Sequence, residues 1–278
     1  MQIKAAIIDL YNNEKNEGMR CIQDLLKEAN NRYDDISLTY DIYETRYKED
    51  IPNVDYDIYF SSGGPGDPFD GEGKIWEKKY FRLLDEIYNH NQNSNERKKY
   101  IFFICHSFQI MARYFKFGTV TKRESRSFGV VPIFKTEDGK KDNIFDKLEN
   151  PFYGADFRNW QVIQPNDKIF TSLGAKLLAI EDIHQQNPNL ERAMMTVRIS
   201  DEIIGTQFHP EADPKSMLYH FNQPEKQKEV IEEYGEEKLN LMLKRLENPD
   251  NIPLTRNTVI PNFLNGAINN LKNSSVLV

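Results

Sequence analysis

Apolar residues follow two different rhythms along this chain. In the first half, short unbroken apolar runs alternate with stretches where apolar residues recur every three or four positions. Residues 4–10 (KAAIIDL) form a run of the kind shown by a strand covered on both faces. Met19, Ile22, Leu25, Leu26 and Ala29 then lie at helical spacing. Residues 37–42 read as a second strand and 56–60 (YDIYF) as a third, which runs into the turn-rich stretch SSGGPGDP. Ile75, Tyr80, Leu83, Leu84 and Ile87 mark the apolar face of a helix over 75–90, and residues 91–99 are polar and loop-like. Residues 100–104 (YIFFI) predict a fourth buried strand and 107–117 a helix after it. This strand–helix alternation predicts right-handed crossovers and a mostly parallel sheet.

In the second half, residues 128–135 alternate like an exposed strand and 176–181 (KLLAIE) form another. Residues 193–199 and 202–208 read as a hairpin closed at Ser200-Asp201. Beyond Pro214 the composition shifts to Lys, Glu, Asn and Leu, with one long amphipathic helix expected over 225–247 and another over 263–271. The expected division is a main unit over 1–214 and a helical C-terminal extension over 215–278. Val230, Ile231, Tyr234, Leu239, Met242, Leu243 and Leu246 would pack that extension back on the same domain; a partner or dimer surface is the alternative.

Bulk properties narrow the function. A chain of 278 residues can bury a sizeable core as one large domain or two small ones. Its formal net charge of −7 gives no electrostatic reason to bind nucleic acid or an anionic membrane. No apolar run reaches the ~20 residues that span a bilayer, and residues 1–10 lack the features of a signal peptide. Cys21 and Cys105 make no disulfide framework, so a reducing, cytoplasmic location is the expectation, with a thiol free for chemistry. His90, His106, His184, His209 and His220 stand at no recognised metal-ligand spacing, and neither a metal nor a cofactor is expected.

Three segments carry chemistry. Ser61-Ser62-Gly63-Gly64-Pro65-Gly66-Asp67-Pro68 follows a predicted strand, and its adjacent glycines let the backbone approach a neighbour and aim N–H groups at it. Alone it reads more readily as a tight surface turn. Cys105, in Phe103-Ile104-Cys105-His106-Ser107-Phe108-Gln109, sits between a buried strand and a helix, the setting of a nucleophile elbow. The helix N-terminus there favours a thiolate; the bland alternative is a core cysteine. In Gly205-Thr206-Gln207-Phe208-His209-Pro210-Glu211, His209 ends a predicted strand. The stiff Pro210 can hold the Glu211 carboxylate against one ring nitrogen while the other faces a nucleophile. Loops at the carboxyl ends of parallel strands share one edge, so the three segments would converge.

The order SGGPG, C-x-x-x-Q, QFHPE resembles the class I glutamine amidotransferase domain, as in the amidotransferase half of GMP synthase, over roughly residues 4–213. Residues 123–130 and 173–179 add weaker likenesses. The resemblance implies a three-layer, flavodoxin-like α/β fold with helices on both faces of the sheet. It implies that Cys105 attacks a side-chain amide to form a γ-glutamyl thioester, that His209 is the base, and that Glu211 orients it. Gly64 and His106 would supply oxyanion-hole N–H groups, and Gly63 and Gln109 would contact the substrate.

Two positions depart from the family. It usually has glycine two residues before and two after the cysteine, where this chain has Phe103 and Ser107. It often has a Ser-His pair near 156–160 that helps hold the glutamine head group, where this chain has Asp156-Phe157-Arg158-Asn159-Trp160. Arg158 could bind a substrate carboxylate instead, or serve only in a salt bridge. The expectation is therefore a glutaminase-type amide hydrolase that releases ammonia for a separate synthetase chain. The alternatives are hydrolysis of another γ-glutamyl or amide substrate, or a non-catalytic binding protein on the same fold.

Overall fold

A computed structural model describes residues 1–93, 96–183 and 191–275. His184 and part of the polar stretch 91–99 lie outside these residues. The chain runs β1 (Gln2–Asp9), α1 (Glu17–Asn30), β2 (Ser37–Glu44), α2 (Thr45–Lys48), β3 (Ile58–Ser61), α3 (Ile75–Asn93), β4 (Tyr100–Ile104) and α4 (His106–Phe115). Then come β5 (Thr119–Lys135), β6 (Phe152–Ile163), α5 (Asp167–Leu173), β7 (Lys176–Glu181), β8 (Met194–Arg198) and β9 (Ile203–Thr206). Five helices follow: α6 (Pro214–Phe221), α7 (Pro224–Tyr234), α8 (Glu236–Glu247), α9 (Ile252–Arg256) and α10 (Val259–Ser275).

Among the described residues the strands form one sheet in the order β2-β1-β3-β4-β9-β8-β7-β5-β6. The β2-β1-β3-β4-β9 half is parallel. The β8-β7-β5-β6 half is antiparallel and joins it through the β8–β9 hairpin. The sequence accounts for this: the apolar runs of β1, β3 and β4 are buried on both faces, as parallel strands require. Ile3, Ile7, Phe60, Phe102 and Ile104 face α1 and α10, whereas Ala6, Ile8, Tyr59, Ile101 and Phe103 face α3 and α4. The expected three-layer α/β fold is thus observed. A third apolar cluster glues α6, α7 and α8 onto β5 and β6 through Val130, Ala155, Phe221, Val230, Leu239 and Met242.

Three expectations need correction. The helix expected over 225–247 is two helices, broken where Gly235 takes φ +86°, a conformation that costs little only without a Cβ. β6, which the sequence reading missed, pairs with nearly the whole of β5, which itself begins at Thr119 rather than 128. His209 does not end a strand: β9 stops at Thr206, and His209 instead makes an isolated antiparallel bridge to Ala155, donating its N–H to the Ala155 carbonyl at 2.8 Å. No helix among the described residues is long and apolar enough to cross a membrane.

Candidate active site

Cys105 stands between the last residue of β4 and the first of α4 with φ 50° and ψ −99°. A non-glycine residue held there stores roughly 1–3 kcal/mol of backbone strain, which the surroundings must enforce. Three contacts do so. The Cys105 N–H donates to the Thr206 carbonyl of β9 at 2.8 Å. The Ser107 hydroxyl accepts from the Ile104 N–H at 2.8 Å and lies 2.7 Å from the Ser61 carbonyl, tying the elbow to the end of β3. The Gln109 N–H closes the first helical turn on the Cys105 carbonyl at 3.1 Å.

His209 and Glu211 form the second part of the site. His209 Nδ1 lies 2.7 Å from Glu211 Oε1, and the carboxylate is buried. Burial opposes a charge on His209, but the Glu211 and Cys105 charges and hydrogen bonds outweigh it and hold its pKa well above the ordinary value. Gly63 explains the paired glycines: a Cβ there would come 2.8 Å from His209 Cε1 and 2.9 Å from the Tyr11 hydroxyl. A Cβ on Gly64 would meet the Leu10 carbonyl oxygen at 2.5 Å. The loop therefore packs its backbone against the imidazole and the end of β1, not against open solvent.

Cys105, His106, Gly64, Gln109, Arg158, His209 and Glu211 all line one cavity of about 810 Å3. Arg158 is buried in its wall with Nε 2.9 Å from Asp156 Oδ2 and Nη2 3.2 Å from Glu181 Oε1, so its charge is matched within the protein. Gln109 donates from Nε2 to the Trp160 carbonyl and to Gln207 Oε1, both at 3.3 Å. Gln207 in turn points Nε2 at the Cys105 sulfur, 3.8 Å away. Cys21 also lines the cavity, but burial pushes its pKa up to about 12 and the Glu211 charge adds to this, so it remains a thiol.

The sequence reading missed Tyr11, Arg46 and Gln207. Tyr11 follows β1 at the shared strand edge; burial, then the Glu211 and Cys105 charges, push its hydroxyl pKa well up. Arg46, on α2, donates from Nη1 to the Leu10 carbonyl at 3.1 Å and the Pro65 carbonyl at 2.7 Å, and sits 3.4 Å from His106 Nε2. One guanidinium thus links three of the loops that build the site. Burial, then Arg46 and Arg113, push His106 down to about 3, so it is neutral and accepts from Arg46. Among the described residues no group of three or more His, Cys, Asp or Glu is placed to hold a metal.

The family model for glutamine amidotransferase class-I matches residues 21–223. The chain belongs to that family. Its fold is similar to that of a glutamine amidotransferase from Thermotoga maritima (16% identity, TM-score 0.65, 96% of this chain and 98% of that one). It is also similar to a protein assigned as a GMP synthase subunit from Thermoplasma acidophilum (15% identity, TM-score 0.56, 98% of each chain). The glutaminase domain of Trypanosoma brucei CTPS, with bound acivicin, is a more distant likeness (12% identity, TM-score 0.54, 75% of this chain and 86% of that one). A search of curated protein sequences found no match.

Against the family, the two departures at the elbow find local compensation. Phe103 pairs in register with Gly205 of β9, whose missing Cβ would otherwise lie 3.1 Å from the Phe103 Cβ and 2.8 Å from Phe108 Cδ2. Phe103 packs with α3 and α4 and is fully buried. Ser107 replaces a small residue with another small one whose hydroxyl fastens the elbow.

Proposed function

We propose that this chain hydrolyses the side-chain amide of glutamine through a thioester on Cys105. The observation that carries the reading is the strained Cys105 elbow opening into the same cavity as His209 and the buried Glu211 it pairs with. In this reading the Cys105 thiolate attacks the amide carbon, and the His209 imidazolium gives its proton to the departing ammonia. His209 then takes a proton from water as the hydroxide attacks the thioester; glutamate leaves and the thiolate–imidazolium pair is restored. Glu211 keeps the imidazole oriented and supports its charge.

The backbone N–H groups of Gly64 and His106 serve as the oxyanion hole, a contribution of about 3 kcal/mol per donor. His106 opens α4, where the N–H groups are free of helical partners. Gln109 borders the bound amide and Gly63 backs the His209 ring instead of lining the cavity, while Arg158 shapes the wall rather than pairing with a substrate carboxylate, since Asp156 and Glu181 already flank it. The ammonia passes to a synthetase on a separate chain, in the cytoplasm. Glutamate release from glutamine is the direct measurement. Cys105→Ala is expected to lower the rate by at least about a thousandfold; equal rates in the two proteins would sink the reading.

A further inference from the structure

Glu211 uses only one of its two carboxylate oxygens. Oε1 lies 2.7 Å from His209 Nδ1. Oε2 is buried and has no hydrogen-bond partner among the described residues. The residue is 1% exposed, so solvent does not fill that role. Buried polar atoms are nearly always hydrogen-bonded, and a charged one left alone is costly. The second oxygen therefore calls for a donor from the protein.

Tyr11 stands beside this carboxylate. Its backbone is fixed just past β1: its N–H donates to Asp9 Oδ1 at 2.8 Å, and its carbonyl accepts from the Glu14 N–H at 3.0 Å. The ring then reaches between the first turn of α1 and the loop after β3, and each makes room for it with a glycine. A Cβ on Gly18 would meet the Tyr11 hydroxyl at 2.5 Å and Glu211 Oε1 at 3.3 Å. A Cβ on Gly63 would meet the same hydroxyl at 2.9 Å and His209 Cε1 at 2.8 Å. The phenol, the carboxylate and the imidazole thus crowd around the same two glycines. The Tyr11 hydroxyl keeps its proton, because burial and then the Glu211 and Cys105 charges oppose its loss. A protonated phenol is a donor. The Cys21 thiol is also near Glu211 and keeps its proton, but it is a weak donor and its sulfur already lies 3.6 Å from Arg20 Nη2.

We infer that Tyr11 is a positioning residue of the triad, whose hydroxyl donates to Glu211 Oε2 when glutamine fills the cavity. The inference rests on the thioester reading proposed above. Active-site hydrogen bonds commonly tighten in this way as substrate binds. Held from both oxygens, the carboxylate stays aligned with His209 Nδ1. The other ring nitrogen then keeps its line between Cys105 and the departing ammonia. Tyr11 acts through Glu211 and gives up no proton in any step.

Tyr11→Phe removes the hydroxyl and keeps the ring. Its kcat for glutamine is expected to fall by about tenfold, with KM within about twofold of wild type. Ring packing alone would leave both constants unchanged. The Nδ1 proton of His209, assigned by NMR through its loss in His209→Gln, is expected to shift in Tyr11→Phe, because its acceptor has lost a second donor. Gly18→Ala puts a methyl group where the hydroxyl lies and is expected to lower kcat to a similar degree. In the Tyr11→Phe background it should cost little more, so the two effects do not add. Urea unfolding of each variant corrects the rates for folded protein. An unchanged kcat in Tyr11→Phe, a change confined to KM, an unmoved His209 proton or additive effects of the two substitutions overturns the role of Tyr11 and leaves the thioester reading standing. Glutamine turnover that survives Cys105→Ala, or none by wild type, overturns the thioester reading and this inference with it.

Discussion

The Gln207 side chain is fixed at both ends of its amide. Its oxygen accepts from Gln109 at 3.3 Å, which turns the nitrogen toward the Cys105 sulfur at 3.8 Å. An N–H group aimed at sulfur stabilises negative charge there, and a hydrogen bond to a charged group contributes roughly 1.5–3 kcal/mol when well formed. Gln207→Leu, similar in volume, is therefore expected to slow alkylation of Cys105 by iodoacetamide at neutral pH by about tenfold. Gln207→Glu should slow it further, because a carboxylate would face the thiolate. Alkylation mapped to Cys105 by mass spectrometry checks this, and unchanged rates in both variants would remove Gln207 from the argument. The sequence held a signal for this residue, which lies inside the same motif as His209 and Glu211. It held none for Arg46, one charge among many in a polar stretch; only the chain's return from β1, β3 and β4 to one edge makes it a link between Leu10, Pro65 and His106.

The strand–turn–helix element around Cys105 depends on Ser107 more than on any family glycine. Its hydroxyl is the acceptor for the buried Ile104 N–H and joins β4 to the Ser61 carbonyl of β3. Ser107→Ala leaves that N–H without its acceptor, at an expected loss of about 1–3 kcal/mol in unfolding free energy by urea titration. The same change should lower activity beyond what the loss of folded protein explains, since the elbow is no longer clamped. A loss under about 0.5 kcal/mol would show the clamp to be incidental. At this scale the apolar runs and turn residues made β1, β3 and β4 legible, because these strands are buried on both faces along nearly their whole length. β6 was not legible. One part of it borders the main core through Phe152 and Ile163, and another borders the α6–α8 cluster through Ala155 and Phe157, so no single alternation runs through it. The break at Gly235 left a trace: the apolar positions step by five from Tyr234 to Leu239, which a continuous helix face does not allow.

Across the whole molecule, two histidines set opposing limits on stability with pH, and both lie where the parallel strands end. His106 is held neutral by burial and by Arg46 and Arg113, with a folded pKa of about 3 against an unfolded value of ~6.5. As pH falls, the unfolded chain takes up this proton first. The His106 contribution is therefore complete above ~6.5 and is lost as pH falls toward 3, at up to ~1.4 kcal/mol per pH unit. His209 works in the other direction: its raised pKa makes its contribution complete below ~6.5 and lost as pH rises through the folded value. From these two groups alone stability should peak near ~6.5. His106→Gln keeps an acceptor for Arg46 but does not titrate. Measured by urea unfolding, its free energy relative to wild type is expected to improve steadily between pH ~7 and ~5, a window above the ordinary carboxylate range. The mutation itself carries a constant penalty for altered packing, so the slope with pH, not the offset, is the test. Parallel curves for the two proteins would mean that His106 takes up its proton as readily folded as unfolded. The Arg46 link between the three loops would then have to give way on acidification, not resist it.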